Sequence, residues 1–141
     1  MMSKWNPSTG SLWRHVGVVA AAVIVALAIW ALARLLGVEL TVGKGQHPSE
    51  VGVVDVVVAA LLAGLAAWGT RALLARRGAD GAWPIVGATA LGISYIGPSY
   101  LADGLSALVL IAMHLAVGLV LIAGFSRFTP RPSDQRRHAW Q

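Results

Sequence analysis

Four long runs of apolar residues alternate with short polar segments along this chain of 141 residues. They cover approximately residues 16–36, 51–74, 83–101 and 104–125. A hydrocarbon core about 30 Å thick is crossed by about 20 residues of helix, and the first, second and fourth runs reach that length. The third run is the shortest. The pattern therefore predicts an all-α integral membrane four-helix bundle rather than an aqueous globule.

The residues between the runs predict where each helix begins and ends. Proline is favoured in the first turn of a helix, so Trp83-Pro84 indicates the start of the third span. Gly97-Pro98-Ser99 indicates a tight outer turn after that span ends near Ile96. Ser49-Glu50 and Asp103 precede the second and fourth runs, where such side chains can cap a helix. We predict an N-terminal segment 1–14, a membrane domain 15–126 with helices at about 15–36, 51–74, 83–97 and 104–126, and a disordered basic tail 127–141.

The basic residues are distributed unevenly between the two ends of the runs. Nine of the eleven lysines and arginines lie before the first run, near the end of the second run or between it and the third, or after the fourth. Because basic residues beside spans are retained in the cytoplasm, both termini are expected there, with four spans between them. The net charge of +5 would suggest nucleic acid for a soluble protein. In a membrane protein, this positive charge is explained by basic residues that set the topology and also contact anionic lipids. We therefore expect membrane lipids as partners and no nucleic acid.

The first run could instead be a cleaved signal peptide, since Ala31-Leu32-Ala33 offers a small-x-small cleavage site. The apolar run is long for a signal core and continues beyond this site. The retained interpretation is a first spanning helix, with Trp13 and Trp30 near the two membrane interfaces that indole rings prefer.

Composition and histidine placement narrow the available chemistry. The chain is 57% hydrophobic and 12% charged and contains no cysteine, which excludes disulfides, thiolate metal sites and cysteine nucleophiles. A bis-histidine haem needs two imidazoles at similar depth, and His15, His47 and His138 all differ in expected depth from His114. No metal-ligand cluster or serine–histidine–acid set is evident. We therefore expect no cofactor, no metal, no catalytic residues and no enzymatic activity.

Polar residues inside the runs form the candidate site. His114 lies about 15 Å along the fourth span, and ionisable groups at such depth usually face a protein interior or a cavity. Asp103 and Asp55 lie near the outer ends of the fourth and second spans, so two acids above one histidine could serve a proton or cation path. Ser94 and Tyr95 could add hydroxyls to this pocket. The plainer alternatives are a hydrogen-bonded structural histidine, helix-capping acids and an interfacial aromatic belt.

Small residues recur every four positions in several runs, as at Ala59, Ala63 and Ala67, and at Ala88 and Gly92. This spacing lets helix backbones approach closely in lipid. We predict that the alanine face of the second span meets another helix, within the bundle or in a homo-oligomer or partner membrane protein.

The chain has a short basic N-terminus, four spans and, within the fourth run, the segment 107–118. In this order of elements it resembles small actinobacterial four-span membrane proteins grouped as a domain of unknown function, and Met113-His114-Leu115 carries most of the resemblance. The resemblance covers residues 12–126. It implies a multi-pass protein with four helices in a bacterial plasma membrane and transfers no activity. The expected role is an accessory or transport-related membrane protein, and the alternative is a cofactor-associated or redox membrane subunit that uses His114.

Overall fold

The chain is described by a computed structural model over residues 9–43 and 49–127, and most of these residues are helical. The helices are α1 (Thr9–Leu35), α2 (Val53–Arg76), α3 (Trp83–Ser94), α4 (Ile96–Leu101) and α5 (Gly104–Ser126). A 3-10 turn, Asp80–Ala82, leads into α3. The helices α1, α2 and α5 are long and apolar enough to cross a membrane. This finding indicates a membrane protein.

The segment between α1 and α2 forms a small antiparallel hairpin of β1 (Thr41–Val42) and β2 (Ser49–Glu50). The prediction that Ser49-Glu50 caps α2 is wrong, because these residues are in the strand and Gly52 occupies the N-cap. The carboxyl group of Asp55 accepts the backbone N–H of Gly52 at 2.8 Å, which satisfies a donor at the helix start.

The segment from α3 to α4 differs from the predicted helix and outer turn. Gly97-Pro98-Ser99 lies inside α4, and Tyr95 alone separates α4 from α3 with a helical backbone conformation. Pro98 is the third residue of α4, within the first turn, where a missing N–H leaves no intrahelical hydrogen bond unmade. The proline thus marks a break between two helices rather than a reversal of the chain.

The helices pack at positions where a glycine of one receives an aliphatic side chain of another. A Cβ atom added at these glycines would lie only 2.5 to 2.8 Å from the neighbouring side chain. Such close approach is the packing mode that small residues allow in membrane helices. The pairs are Val19 with Gly64 for α1 and α2, Val18 with Gly124 for α1 and α5, and Gly87 with Ile122 and Leu91 with Gly118 for α3 and α5.

Two apolar clusters form the interior of the bundle. One contains Val56, Leu110 and Met113 and lies toward the hairpin. The other contains Trp83 and Phe125 and lies toward the opposite end. Together they hold α1 and α5 in extensive contact, while α2 and α3 pack on either side and touch each other little. This arrangement leaves a gap between α2 and α3.

Candidate functional site

A cleft of about 510 Å³ occupies the gap between α2 and α3, with α5 at its back. Ala63 of α2 and Ala90 of α3 are among the small residues that form its walls, and Met113 and Val117 of α5 are among those that form its floor. Because the wall residues have short side chains, the space between the two helices stays unfilled. The cleft is apolar apart from a few polar groups.

The alanine face of α2 lines this cleft. Ala59 and Ala63 are exposed, and Ala67 is partly buried against the cluster that contains Trp83 and Phe125. Within the described part of the chain, no other helix therefore covers the face at Ala59 and Ala63. A contact of this face with a homo-oligomer or a partner membrane protein stays a prediction, because a repeat of small residues does not show what covers it.

Aromatic side chains close the end of the cleft farthest from the hairpin. Trp83 is only 3% exposed and donates its indole N–H to the carbonyl of Ile122 at 3.2 Å. Its ring meets that of Phe125 edge-on, with 5.8 Å between centroids. The His15 ring lies 5.6 Å from Phe125 and 6.2 Å from Trp68. Residues of α1, α2, α3 and α5 thus meet in one cluster.

His114 lines the cleft on α5, and its protonation pattern follows from one hydrogen bond. The Nδ1 atom lies 2.7 Å from the carbonyl oxygen of Leu110, one turn earlier. A carbonyl oxygen can only accept, so Nδ1 carries the proton and donates. In the neutral imidazole, Nε2 then keeps its lone pair and is an acceptor. The histidine is partly satisfied by its own helix and retains one acceptor for another molecule.

Ser94 and Asp55 are the other predicted site residues that line the cleft. The Ser94 hydroxyl donates to the carbonyl of Ala90 at 2.8 Å, so its oxygen remains an acceptor. One carboxyl oxygen of Asp55 accepts from Gly52, as described above, and this aspartate is exposed. Each side chain is held by its own helix.

The contact between α3 and α5 places Ser94 and His114 at nearly the same depth. Leu91 lies against Gly118, and the two helices run in opposite directions. Ser94 is three residues farther along α3, and His114 is four residues back along α5. The two levels differ by one residue, or about 1.5 Å of helix rise.

The depth of Asp55 can be compared through α1, which packs antiparallel to both α2 and α5. Val19 of α1 lies against Gly64 of α2. Nine residues from this contact toward the hairpin, α1 reaches Ala28 and α2 reaches Asp55. His15 against Trp68 shows the same register. Asp55 is therefore at the level of Ala28.

The same comparison for α5 gives the same level. Val18 of α1 lies against Gly124 of α5. Ten residues from this contact toward the hairpin, α1 reaches Ala28 and α5 reaches His114. Asp55 and His114 thus share the depth of Ala28. From the sequence, Asp55 was expected near the outer end of the bundle. In the structure, α2 begins farther from that end than α5 does, because the hairpin returns the chain to the level of Trp30. The indole of Trp30 donates to the carbonyl of Val51 at 3.0 Å.

Asp103 and Tyr95 lie outside the cleft lining. Asp103 occupies the N-cap of α5, as predicted, although the described residues show no side-chain capping hydrogen bond from it. Tyr95 follows Ser94 and is 48% exposed. A step of one residue turns a helix by about 100°, which takes the tyrosine off the face that Ser94 shares with the cleft. The predicted arrangement of two acids above His114 is therefore not found: Asp55 lies at the depth of His114, and Asp103 lies outside the cleft lining.

The other histidines do not join His114 in the described part of the chain. His15 is in the aromatic cluster at the far end, and His47 and His138 fall outside the described residues. Among residues 9–43 and 49–127, no group of three histidine, cysteine, aspartate or glutamate side chains could hold a metal ion.

Trp83 has a role that the sequence did not reveal, and the burial of Arg71 was not predicted. Trp83-Pro84 was predicted only as a helix start, although Trp83 also closes the cleft. Arg71 was assigned to the cytoplasmic charge pattern, yet it is 8% exposed. The sequence did contain a signal for this role. Trp83 lies one helical turn before Gly87. A bulky ring is thus followed by a position without a side chain, which residues of a facing helix can approach.

Residues 7–131 match the model of a family of unknown function, DUF6069. The chain belongs to this family. The match confirms the resemblance to a family without an assigned activity, while an actinobacterial source stays a prediction. Neither a curated protein nor a solved structure matches the chain.

Proposed function

We propose that this family member is a four-span plasma membrane protein, non-enzymatic and transport-related or accessory, that takes up an apolar small molecule from the bilayer through the cleft between α2 and α3. The observation that carries the proposal is the cleft itself. Its volume of about 510 Å³ falls within the range of about 300 to 1,000 Å³ that small-molecule sites occupy. Its apolar walls with a few polar groups are also typical of such sites.

The depth of the cleft supports entry from lipid rather than from water. Asp55 and His114 lie at the level of Ala28, which is about 21 Å along α1 from Arg14 and about 9 Å from Arg34. Charged residues near span ends mark the interfaces. The polar part of the cleft is then inside the apolar layer, where a dissolved hydrocarbon has direct access.

The span that completes the proposed set of four is the third in chain order and consists of α3 and α4 together. At the rise of a helix, the nineteen residues from Trp83 to Leu101 account for about 28 Å, close to the thickness of the hydrocarbon core. Ile85 and Ile93 are exposed on its outer surface, as expected for a lipid-facing helix. Its serine and threonine hydroxyls donate to carbonyls one turn earlier, which removes unsatisfied donors from lipid.

The orientation of this proposal, with both termini cytoplasmic, follows from the basic residues at one end of the bundle. The end closed by the aromatic cluster carries Arg14 of α1, Arg76 at the end of α2, Arg77 directly after it, and Arg127 after α5. The opposite end carries Arg34 beside the hairpin. This excess supports the cytoplasmic assignment of the aromatic end.

Ala63→Phe tests the proposed uptake because it places a ring in the cleft, and Leu62→Phe is its matched control. Leu62 is the neighbouring residue on α2, is 62% exposed and does not line the cleft. Native mass spectrometry of protein extracted in mild detergent should show a bound apolar adduct in the wild type and in the Leu62 variant. The adduct should be absent from the Ala63 variant. Equal adduct populations in both variants would contradict the proposal.

The second candidate function is a cofactor-associated or redox subunit, favoured by the acceptor lone pair of His114 Nε2. An imidazole with one nitrogen fixed by a hydrogen bond is suited to ligate a haem iron with the other. The visible spectrum of protein purified from its native membrane tests this alternative. A haem band that His114→Leu removes would favour it over the first proposal, and a colourless protein would count against it.

A further inference from the structure

The polar groups at the level of Ala28 share one chemical property, since each of them offers acceptors to the cleft. The imidazole proton of His114 and the hydroxyl proton of Ser94 are both donated to carbonyls of their own helices. The Asp55 carboxylate has acceptor oxygens only. We use the name acceptor triad for Asp55, Ser94 and His114.

The acceptor triad combines residues from three different helices around one cleft. Asp55 is on α2, Ser94 on α3 and His114 on α5, and all three belong to the lining. Buried or lipid-facing acceptors gain most from a partner that donates, because water cannot satisfy them there. A ligand whose polar group only accepts hydrogen bonds would form no hydrogen bond with the triad.

Apart from Thr70, the rest of the cleft is lined by apolar and aromatic residues, which suits an apolar body. From Ser94, α3 continues inward through Leu91 and Gly87 to Trp83, and all four residues line the cleft. The distance along the helix from Ser94 to Trp83 is about 17 Å. A chain of that length could lie along α5 with its polar group at the triad and its tail near the Trp83 ring.

We propose that the acceptor triad makes the cleft selective for an apolar molecule whose head group donates hydrogen bonds, an alcohol or an amine. Molecules of equal length with an acceptor-only head group bind more weakly. This inference rests on the proposed function, because it names the chemical class of ligand that the cleft takes up. Nothing in the sequence alone showed that the hydroxyl and imidazole protons are already used within their helices.

Binding of three labelled probes to the full chain in phosphatidylcholine nanodiscs tests the selectivity. The probes are dodecanol, dodecylamine and dodecyl methyl ether, which share one alkyl chain and differ in whether the head donates. Partitioning into empty nanodiscs is subtracted. We expect the alcohol and the amine to bind about tenfold more tightly than the ether, as one or two hydrogen bonds would give.

Variants of the triad separate its members. Ser94→Ala and His114→Phe should each reduce the preference for dodecanol severalfold and leave binding of the ether unchanged. Leu115→Phe is the matched control for the histidine, since Leu115 is the next residue, is exposed and does not line the cleft. Asp55→Asn keeps an oxygen that can accept from Gly52 but removes the charge. It should weaken dodecylamine more than dodecanol, which distinguishes a cationic from a neutral donor.

The wild-type comparison decides the inference even if a variant fails to fold. Equal binding of dodecanol and the ether, both above empty nanodiscs, would overturn the selectivity and leave uptake of apolar molecules intact. If no probe binds above empty nanodiscs, the proposed function itself fails. Preference for the ether would also overturn the role of the triad.

Discussion

Gly124→Ala should destabilise the bundle, because this single methyl group meets a side chain that cannot move aside. The added Cβ would lie 2.6 Å from Cγ1, 2.9 Å from Cγ2 and 3.3 Å from Cβ of Val18. Valine in a helix has one strongly preferred rotamer, so its two methyl groups cannot rotate away at low cost. Either α1 and α5 must separate or the valine must adopt a strained conformation.

The expected magnitude combines two opposing contributions. Overpacking of a well-packed interior costs about 1 to 3 kcal/mol. Replacement of glycine by alanine within a helix favours the helix by up to about 1 kcal/mol. The net expectation for Gly124→Ala is a loss of about 1 to 2 kcal/mol in the free energy of unfolding, because the steric cost falls on the extensive interface between α1 and α5.

Gly92→Ala is the matched control, since a Cβ there would have no heavy atom within 4 Å. The assay is thermal unfolding of each purified variant in one detergent, followed by loss of the monodisperse peak in size-exclusion chromatography. Gly124→Ala should unfold at a lower temperature than the wild type, and Gly92→Ala at the same or a higher one. Adding Val18→Ala to Gly124→Ala should recover part of the loss, as coupled neighbours do. A Gly124→Ala protein as stable as the Gly92→Ala protein would refute the steric reasoning.

Three further predictions concern topology, the histidine and the tryptophan. Single cysteines at Gly45 and Ser133, treated with an impermeant maleimide on intact cells, should be labelled at Gly45 and not at Ser133; the reverse pattern would overturn the orientation. His114→Leu removes a hydrogen bond that lies within α5, so it should change the free energy of unfolding in detergent by less than about 0.5 kcal/mol. This is below the average of about 0.6 kcal/mol for a hydrogen bond between membrane helices. A loss above about 1.7 kcal/mol would point to an additional partner of His114. Trp83→Phe removes the hydrogen bond from α3 to α5 but keeps a ring beside Phe125, so it should cost about 0.6 kcal/mol and at most about 1.7; unchanged stability in the same assay would show that this bond contributes nothing.

The sequence predicted the helices better than the contacts between them. Three of the apolar runs correspond to α1, α2 and α5, because the number of consecutive apolar residues shows directly whether a helix is long enough to cross lipid. Gly124 and Gly64 were missed as contact positions, since glycine and alanine occur on every face of these helices and periodicity could not rank them. Only the facing residue, a valine in both cases, decides which small residue is a contact.

Of the five residues predicted for the candidate site, His114, Asp55 and Ser94 line the cleft, and Asp103 and Tyr95 do not. All five were selected because polar residues in apolar runs are few. The common depth of the three lining residues depends on where α2 begins, and the hairpin sets that level through hydrogen bonds distant in sequence. Asp103 was expected above His114 in the same pocket, but at the N-cap of α5 it lies outside the cleft lining. Helical periodicity defines a face and leaves the depth of a neighbouring helix undetermined.

The hydrogen bonds of the hairpin have a consequence for the order in which this protein is assembled during synthesis. The carbonyl of Glu39 accepts from the hydroxyl of Ser106 at 2.7 Å, and the N–H of Gly43 donates to the carbonyl of Leu101 at 2.9 Å. These partners leave the ribosome about sixty residues after the hairpin itself, at a rate of about 5 to 20 residues per second. The hairpin therefore acquires these hydrogen bonds only several seconds after its own synthesis. A chain interrupted before Leu101 lacks both partners, so added protease should cleave its hairpin more readily than that of the complete chain.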